Sequence, residues 1–272
     1  MFGFELENVL RLVLGLLPFI LCLKLYFLDD KRELGLICLL VSAFILRMLF
    51  ATWDPYLHNW DERYHALVAK NMMSDPFKPM LRLDPIFPYK FKAWCCNHVW
   101  LHKQPLFMWQ MALSMKMFGA NEFAVRLPSV LMGTIQVYFI FSIVKIWLKD
   151  NAIAFKAAFF SSLVYLPLEM VAGRHALDHN DLSFLFYLTA GIWALCKYME
   201  SERKLFAFLI ALFIAAAVLI KWLTALLVFG GWGLYLLQSK FAFKNYLSLL
   251  VCMLLSGALF LPWQLYLSLI HI

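Results

Sequence analysis

Eight apolar stretches set the limits on what this chain can fold into. They lie near 8–28, 34–53, 127–147, 154–172, 181–198, 205–220, 222–238 and 245–267. Each reaches, or nearly reaches, the roughly twenty residues that a helix needs to cross a bilayer. With 64% hydrophobic residues, 26 Phe and 15% charged residues in 272, the chain has too much apolar surface for a soluble core. The expected fold class is therefore all-α: a polytopic membrane helical bundle of about eight transmembrane helices, with 1–272 forming a single membrane domain. Only Lys221 separates 205–220 from 222–238, which reads as a tight hairpin or as one bent longer element. No Lys or Arg precedes Arg11 and no small-residue cleavage site follows, so the first run reads as a retained helix.

Basic residues orient the bundle. Lys31 and Arg32, then Lys145, Lys149 and Lys156, then Lys197, Arg203 and Lys204, then Lys240 and Lys244 fall in alternate connections, which marks that side as cytoplasmic. The net charge of +7 fits such loops and anionic lipid, and does not call for nucleic acid. The loop 53–126 and the segment 173–181 then face outward, in the plasma (inner) membrane of a cell envelope. Four of the six cysteines, Cys22, Cys38, Cys196 and Cys252, lie in apolar segments as small packing residues. Cys95 and Cys96 are adjacent, with no CxxC, which argues against a cysteine zinc site.

Polar groups gather in the outer segments, and apart from Lys221 the spans look nearly clean. Residues 61–73 read as a helix started by Asn59 or Asp61 and stopped by Ser74-Asp75-Pro76. Residues 104–118 read as an amphipathic helix on the membrane surface, with Phe107 and Trp109 toward lipid. Asp61 and Glu62 suit a general base acting on an acceptor hydroxyl or amine, or an acid pair complementing a helix dipole. Lys103, Arg126, Arg174 and Lys221 are either snorkelling anchors or a set that neutralises a phosphate leaving group. Lys221 is the most telling of them, because a charge inside an apolar stretch is costly. Asp178 and Asp181 form a second acidic group, with Asp178 one helical turn from Arg174 and so open to a local ion pair. His58, Asp61, His65, His98 and His102 include metal-ligand types. Solvated histidines are the default reading, no HExxH is present, and no metal site is assigned.

Taken in order, these motifs carry a resemblance. Trp60-Asp61-Glu62-Arg63-Tyr64-His65 comes first, then His102-Lys103-Gln104-Pro105-Leu106. Phe118-Gly119-Ala120-Asn121-Glu122 runs on to Arg126-Leu127-Pro128-Ser129, and Arg174, Asp178, Lys221 and Pro262-Trp263 follow. The series resembles the integral-membrane GT-C glycosyltransferases, in the family 39-like group of lipid A aminoarabinose transferase and the protein mannosyltransferases. The similarity covers roughly 53–266. Gln104 stands where that family usually has proline, and Trp222 where it has the glycine after lysine. Two spans precede the acidic loop where one is usual, and the family normally continues beyond the length seen here, so the chain reads as an N-terminal portion.

The resemblance implies a GT-C fold whose outer loop, 53–126, carries short membrane-surface helices and the catalytic residues. It implies inverting transfer of a sugar from a polyprenyl-phosphate donor to a lipid A, glycan or protein acceptor. Asp61 would be the base, with Glu62 beside it. Lys103 would hold the donor phosphate with Arg63, Arg174 or Lys221, and Asp178, Asp181 and His65 would serve the acceptor side. No cofactor is assigned, and a divalent cation stays an open option. The other readings are a transporter or flippase for lipid-linked substrates, and a non-catalytic scaffold that binds them. Membrane lipids are partners under every reading.

Overall fold

The computed structural model describes residues 6–86, 88, 90, 97–174, 178–238 and 243–270. Cys95, Cys96, His175 and Lys240 lie outside the described residues. Within them the regular secondary structure is helical apart from one isolated antiparallel bridge, Met80 to Val99. The elements are α1 (Leu6–Leu23, continued by a π turn Lys24–Leu28), α2 (Arg32–Trp53), α3 (Asp61–Met72) and α4 (Leu106–Phe118). They continue with α5 (Glu122–Leu148), α6 (Asn151–Leu163), α7 (Tyr165–Val171) and α8 (His179–Ser201). The last are α9 (Lys204–Lys221), a 3₁₀ turn Trp222–Leu226, α10 (Leu227–Gln238) and α11 (Phe243–Ile270).

The chain divides into two compact units, 1–63 with 120–182, and 64–119 with 183–272. In the first, α1, α2, α5 and α6 pack around Phe19, Leu39, Leu46, Val137, Phe155 and Ala158. Tyr26 stacks on Phe155 with 3.8 Å between ring centroids. Its hydroxyl donates to the Asn151 carbonyl at 2.8 Å. Side-chain caps start two helices: Asn121 accepts from Ala124 N at the head of α5, and Asp150 accepts from Ala152 N and Ile153 N at the head of α6. Pro167 lacks the N–H that would bond back to Leu163, so α6 cannot run on into α7, and the two helices meet at 50°.

In the second unit, α8, α9, α10 and α11 close around Ile210, Ile214, Val218, Phe229, Trp232 and Phe260. Along a straight helix, Trp232 would lie about 42 Å from Lys204. The six residue steps from Tyr198 to Lys204 reach only about 20 Å. Yet the Trp232 ring lies 5.6 Å from that of Tyr198. The chain therefore turns at the 3₁₀ segment rather than running straight through it, which both readings of 205–238 allow.

Among the described residues, six helices are long and apolar enough to cross a membrane, or seven counting the bent α6–α7 pair as one. That is fewer than the eight expected, because Lys204–Gln238 counts as one stretch by length and composition. Two further expectations are corrected. Phe107 does not face lipid: it is buried with Met108, Met111 and Met115 on the inner face of α4, its ring edge-on to His65 at 4.8 Å. The spans are also not clean apart from Lys221. Arg47 is buried within α2, where its Nη1 donates to the Ala43 carbonyl at 3.2 Å. Gly133 makes room for it, since a Cβ there would lie 2.8 Å from Arg47 Nε.

Candidate active site

The acidic pair opens α3, where unpaired backbone N–H groups and the helix dipole favour carboxylates. Trp60, just before it, is exposed and holds φ at +66°, a conformation that bulky residues avoid. Asp61 is half-buried and Glu62 is fully buried. Two neighbouring acids thus take different environments, one within reach of solvent and one enclosed.

Glu62 is saturated by donors. Its Oε1 accepts from Arg126 Nε at 2.8 Å and pairs with His179 Nε2 at 3.1 Å. Its Oε2 accepts from the His58 backbone N–H at 2.6 Å and from Arg126 Nη2 at 3.2 Å. Arg126 spends its remaining N–H groups on the carbonyls of Ala51, Asp54 and Tyr56, at 2.7, 2.8 and 2.9 Å. All five guanidinium donors are thereby used. Burial pushes the Glu62 carboxyl up, but hydrogen bonds and charge from His179 and Arg126 outweigh it and hold the group down at about 2. Glu62 is a fixed anion at neutral pH, and Arg126 is its partner rather than a span-end anchor.

A second ion cluster lies in the same unit. Asp54 Oδ2 accepts from Arg174 Nη2 at 2.7 Å and Nε at 3.0 Å, and pairs with His58 Nε2 at 3.1 Å. Arg174 Nη1 donates to Glu169 Oε1 at 3.1 Å. A Schellman motif places Arg174: Gly173 N–H bonds to the Met170 carbonyl and Arg174 N–H to the Glu169 carbonyl, with Gly173 at φ +69°. Gly173 also packs against Glu62, and a Cβ there would run into the Glu62 carboxylate. Gly173→Ala therefore carries about 1–2 kcal/mol of left-handed strain and also displaces Glu62 from its donors. Thermal unfolding in detergent should show a lower midpoint. An unchanged midpoint would mean that Glu62 relaxes around the methyl group.

Asp178 is buried at the start of α8, where its Oδ1 accepts from Asn180 N at 3.0 Å and its carbonyl accepts from Leu182 N. It is the helix N-cap, and the carboxylate of Asp181 lies 3.5 Å from Asp178 N in a reciprocal arrangement. Arg63 is exposed and donates to the Leu57 carbonyl at 2.9 Å. Among the described residues, no group of three or more His, Cys, Asp or Glu is arranged to hold a metal ion.

The first unit thus brings together Glu62, Asp54, Arg174 and the start of α8. Sequence reasoning left Asp54, Glu169 and Ser129 without a role and did not pair Arg126 with Glu62. The available signal was the spacing of Arg126 and Ser129, at i and i+3 on one helix face.

His65, Lys103 and Lys221 belong to the second unit. His65 is buried, Lys103 half-buried and Lys221 exposed at the end of α9. Trp222, which follows, has φ +66° and ψ −157°, a region occupied almost only by glycine. This is the position where the resemblance expects glycine. Trp222→Gly relieves about 1–3 kcal/mol of strain against about 1 kcal/mol of added chain entropy. The unfolding midpoint should rise by about 2–4 °C. A fall would show that the indole packs well enough to outweigh its backbone.

Crystal structures of ArnT from Cupriavidus metallidurans share the fold. The apo form superposes with a TM-score of 0.61 at 17% identity, over 87% of this chain and 42% of ArnT. The form bound to undecaprenyl phosphate gives 0.59 at 16% identity, over 86% and 41%. A protein of Aquifex aeolicus (strain VF5), described as uncharacterized, is 26% identical over 248 residues, 89% of this chain and 44% of its own length. The chain spans less than half the length of these relatives. Residues 102–266, more than half of the chain, match the family described as dolichyl-phosphate-mannose-protein mannosyltransferase. With its GT-C fold and that match, the chain belongs to the dolichyl-phosphate-mannose-protein mannosyltransferase family.

Proposed function

We propose that the chain serves transfer of a sugar from a polyprenyl-phosphate donor to a hydroxyl or amine of an acceptor, with inversion at the anomeric carbon. The observation that carries this reading is Asp61, a half-buried carboxylate next to a carboxylate that is fully buried and saturated by donors. A general base must be held in place to act, and the Glu62 clamp fixes the turn from which Asp61 projects. Asp61 takes the proton of the acceptor as its oxygen or nitrogen bonds to the anomeric carbon. The bond from that carbon to the phosphate oxygen breaks, and its electron pair leaves with polyprenyl phosphate.

Roles for the remaining residues follow the motif match. Lys103 holds the leaving phosphate, assisted by Arg63 and Lys221, while Asp178, Asp181 and His65 serve the acceptor side. Arg174 already meets Asp54 and Glu169, so its part is to hold Asp54 and the segment after α7. The ArnT structure holding undecaprenyl phosphate supports the donor class. The distribution of basic residues supports an extracytoplasmic site in the plasma membrane, where a lipid-linked donor replaces nucleotide sugars. The turn at Trp222–Leu226 supports counting α9 and α10 as separate crossings, which would make eight.

The test uses membranes bearing the protein and a labelled polyprenyl-phosphate sugar. Release of free polyprenyl phosphate with transfer of the label is the expected result. No release from any such donor, with the protein correctly inserted, would overturn the reading in favour of a transporter or a scaffold.

A further inference from the structure

We infer that His179, held by Ser129, is a positioning residue that couples the turn carrying Asp61 to the turn carrying Asp178. The inference rests on the transferase reading above. Glu62 directly follows Asp61, and His179 directly follows Asp178. The Glu62 Oε1 to His179 Nε2 hydrogen bond, 3.1 Å long and fully buried, is thus a tie between the two acidic turns. On its other side, His179 Nδ1 lies 2.7 Å from Ser129 Oγ, also buried. Both ring nitrogens are engaged, so the imidazole cannot rotate without breaking one bond or the other. Ser129 sits three residues after Arg126 on α5, so one helix face supplies both the cation and the hydroxyl that frame Glu62 and His179. Arg126 neutralises Glu62, while His179 sets how far α3 stands from the start of α8.

Three variants separate this role from simple packing. In His179→Gln the amide nitrogen takes the place of Nε2 and still donates to Glu62. In His179→Asn the amide takes the place of Nδ1, keeps Ser129 and loses Glu62. Ser129→Ala frees the ring. Two readouts are made on purified protein in lipid discs. The first is backbone amide exchange across residues 58–63, which does not depend on activity. The second is the split between kcat and KM for the labelled donor.

His179→Asn should speed exchange in 58–63 and lower kcat by about 10²-fold through misplacement of Asp61, with KM little changed. Ser129→Ala should show a smaller effect of the same kind, and His179→Gln should stay near wild type in both readouts. If His179→Asn leaves exchange and kcat unchanged, or if Gln and Asn are equally impaired, the coupling role is wrong. Should His179→Asn fail to fold, Ser129→Ala compared with His179→Gln decides on the same two readouts. If exchange responds as described while the wild type turns over no polyprenyl-phosphate sugar, the coupling stands and the transferase reading falls.

Discussion

Arg126→Leu is expected to cost about 3–5 kcal/mol, because it leaves the Glu62 anion buried without its cation. Glu62 would keep only His179 and the His58 N–H, and the carbonyls of Ala51, Asp54 and Tyr56 would lose their donor together. Each of those carbonyls adds a desolvation penalty of its own. The unfolding midpoint in detergent should fall by on the order of 10 °C. Replacing both partners, Arg126→Leu with Glu62→Leu, should recover only the part of that loss that comes from the uncompensated Glu62 charge, because the three carbonyls, the His58 N–H and His179 Nε2 stay unpaired. The double variant should nevertheless stay inactive, because the Glu62 clamp on the Asp61 turn would be gone. If the single variant melts like the wild type, the pair is not the structural centre described above. If the double variant transfers sugar, the clamp is dispensable.

Asp61→Asn is expected to lower turnover by about 10²–10⁴-fold, the range that a positioned proton acceptor contributes. The amide keeps the shape of the carboxylate but takes no proton from the acceptor. Asp61 is half-buried rather than enclosed and the amide is isosteric with the carboxylate, so the unfolding midpoint should move far less than for Arg126→Leu. Arg126→Leu loses fold and activity together, whereas Asp61→Asn loses activity alone. An Asp61→Asn protein that is inserted, folded and fully active would remove Asp61 from the role of base.

The two effects also separate what was legible in the sequence from what was not. The start of α3 was legible, because acids placed before Leu67, Val68 and Met72 mark a helix N-terminus locally. The break after Lys221 was legible, from a charge in an otherwise apolar stretch. The Glu62–Arg126 pair was not, because its members are 64 residues apart and an arginine at a span end looks like an anchor when read locally. Arg47 was hidden by averaging, since one cation among the residues of α2 hardly changes a hydropathy window. Phe107 was misplaced because an aromatic beside Trp109 suggests an interfacial belt, and the face of α4 that turns inward is set by tertiary packing. The bend between α6 and α7 had its cause in Pro167, yet the length of 154–172 suggested a single span.

The central claim is that the Asp61 turn activates an acceptor against a polyprenyl-phosphate sugar. The measurement that tests it most directly is the rate of polyprenyl-phosphate release from a labelled donor, with acceptor-containing membranes, for wild type and Asp61→Asn at equal amounts of folded protein. The account predicts release coupled to label transfer in the wild type and its loss in the variant. Equal rates in the two proteins would contradict it.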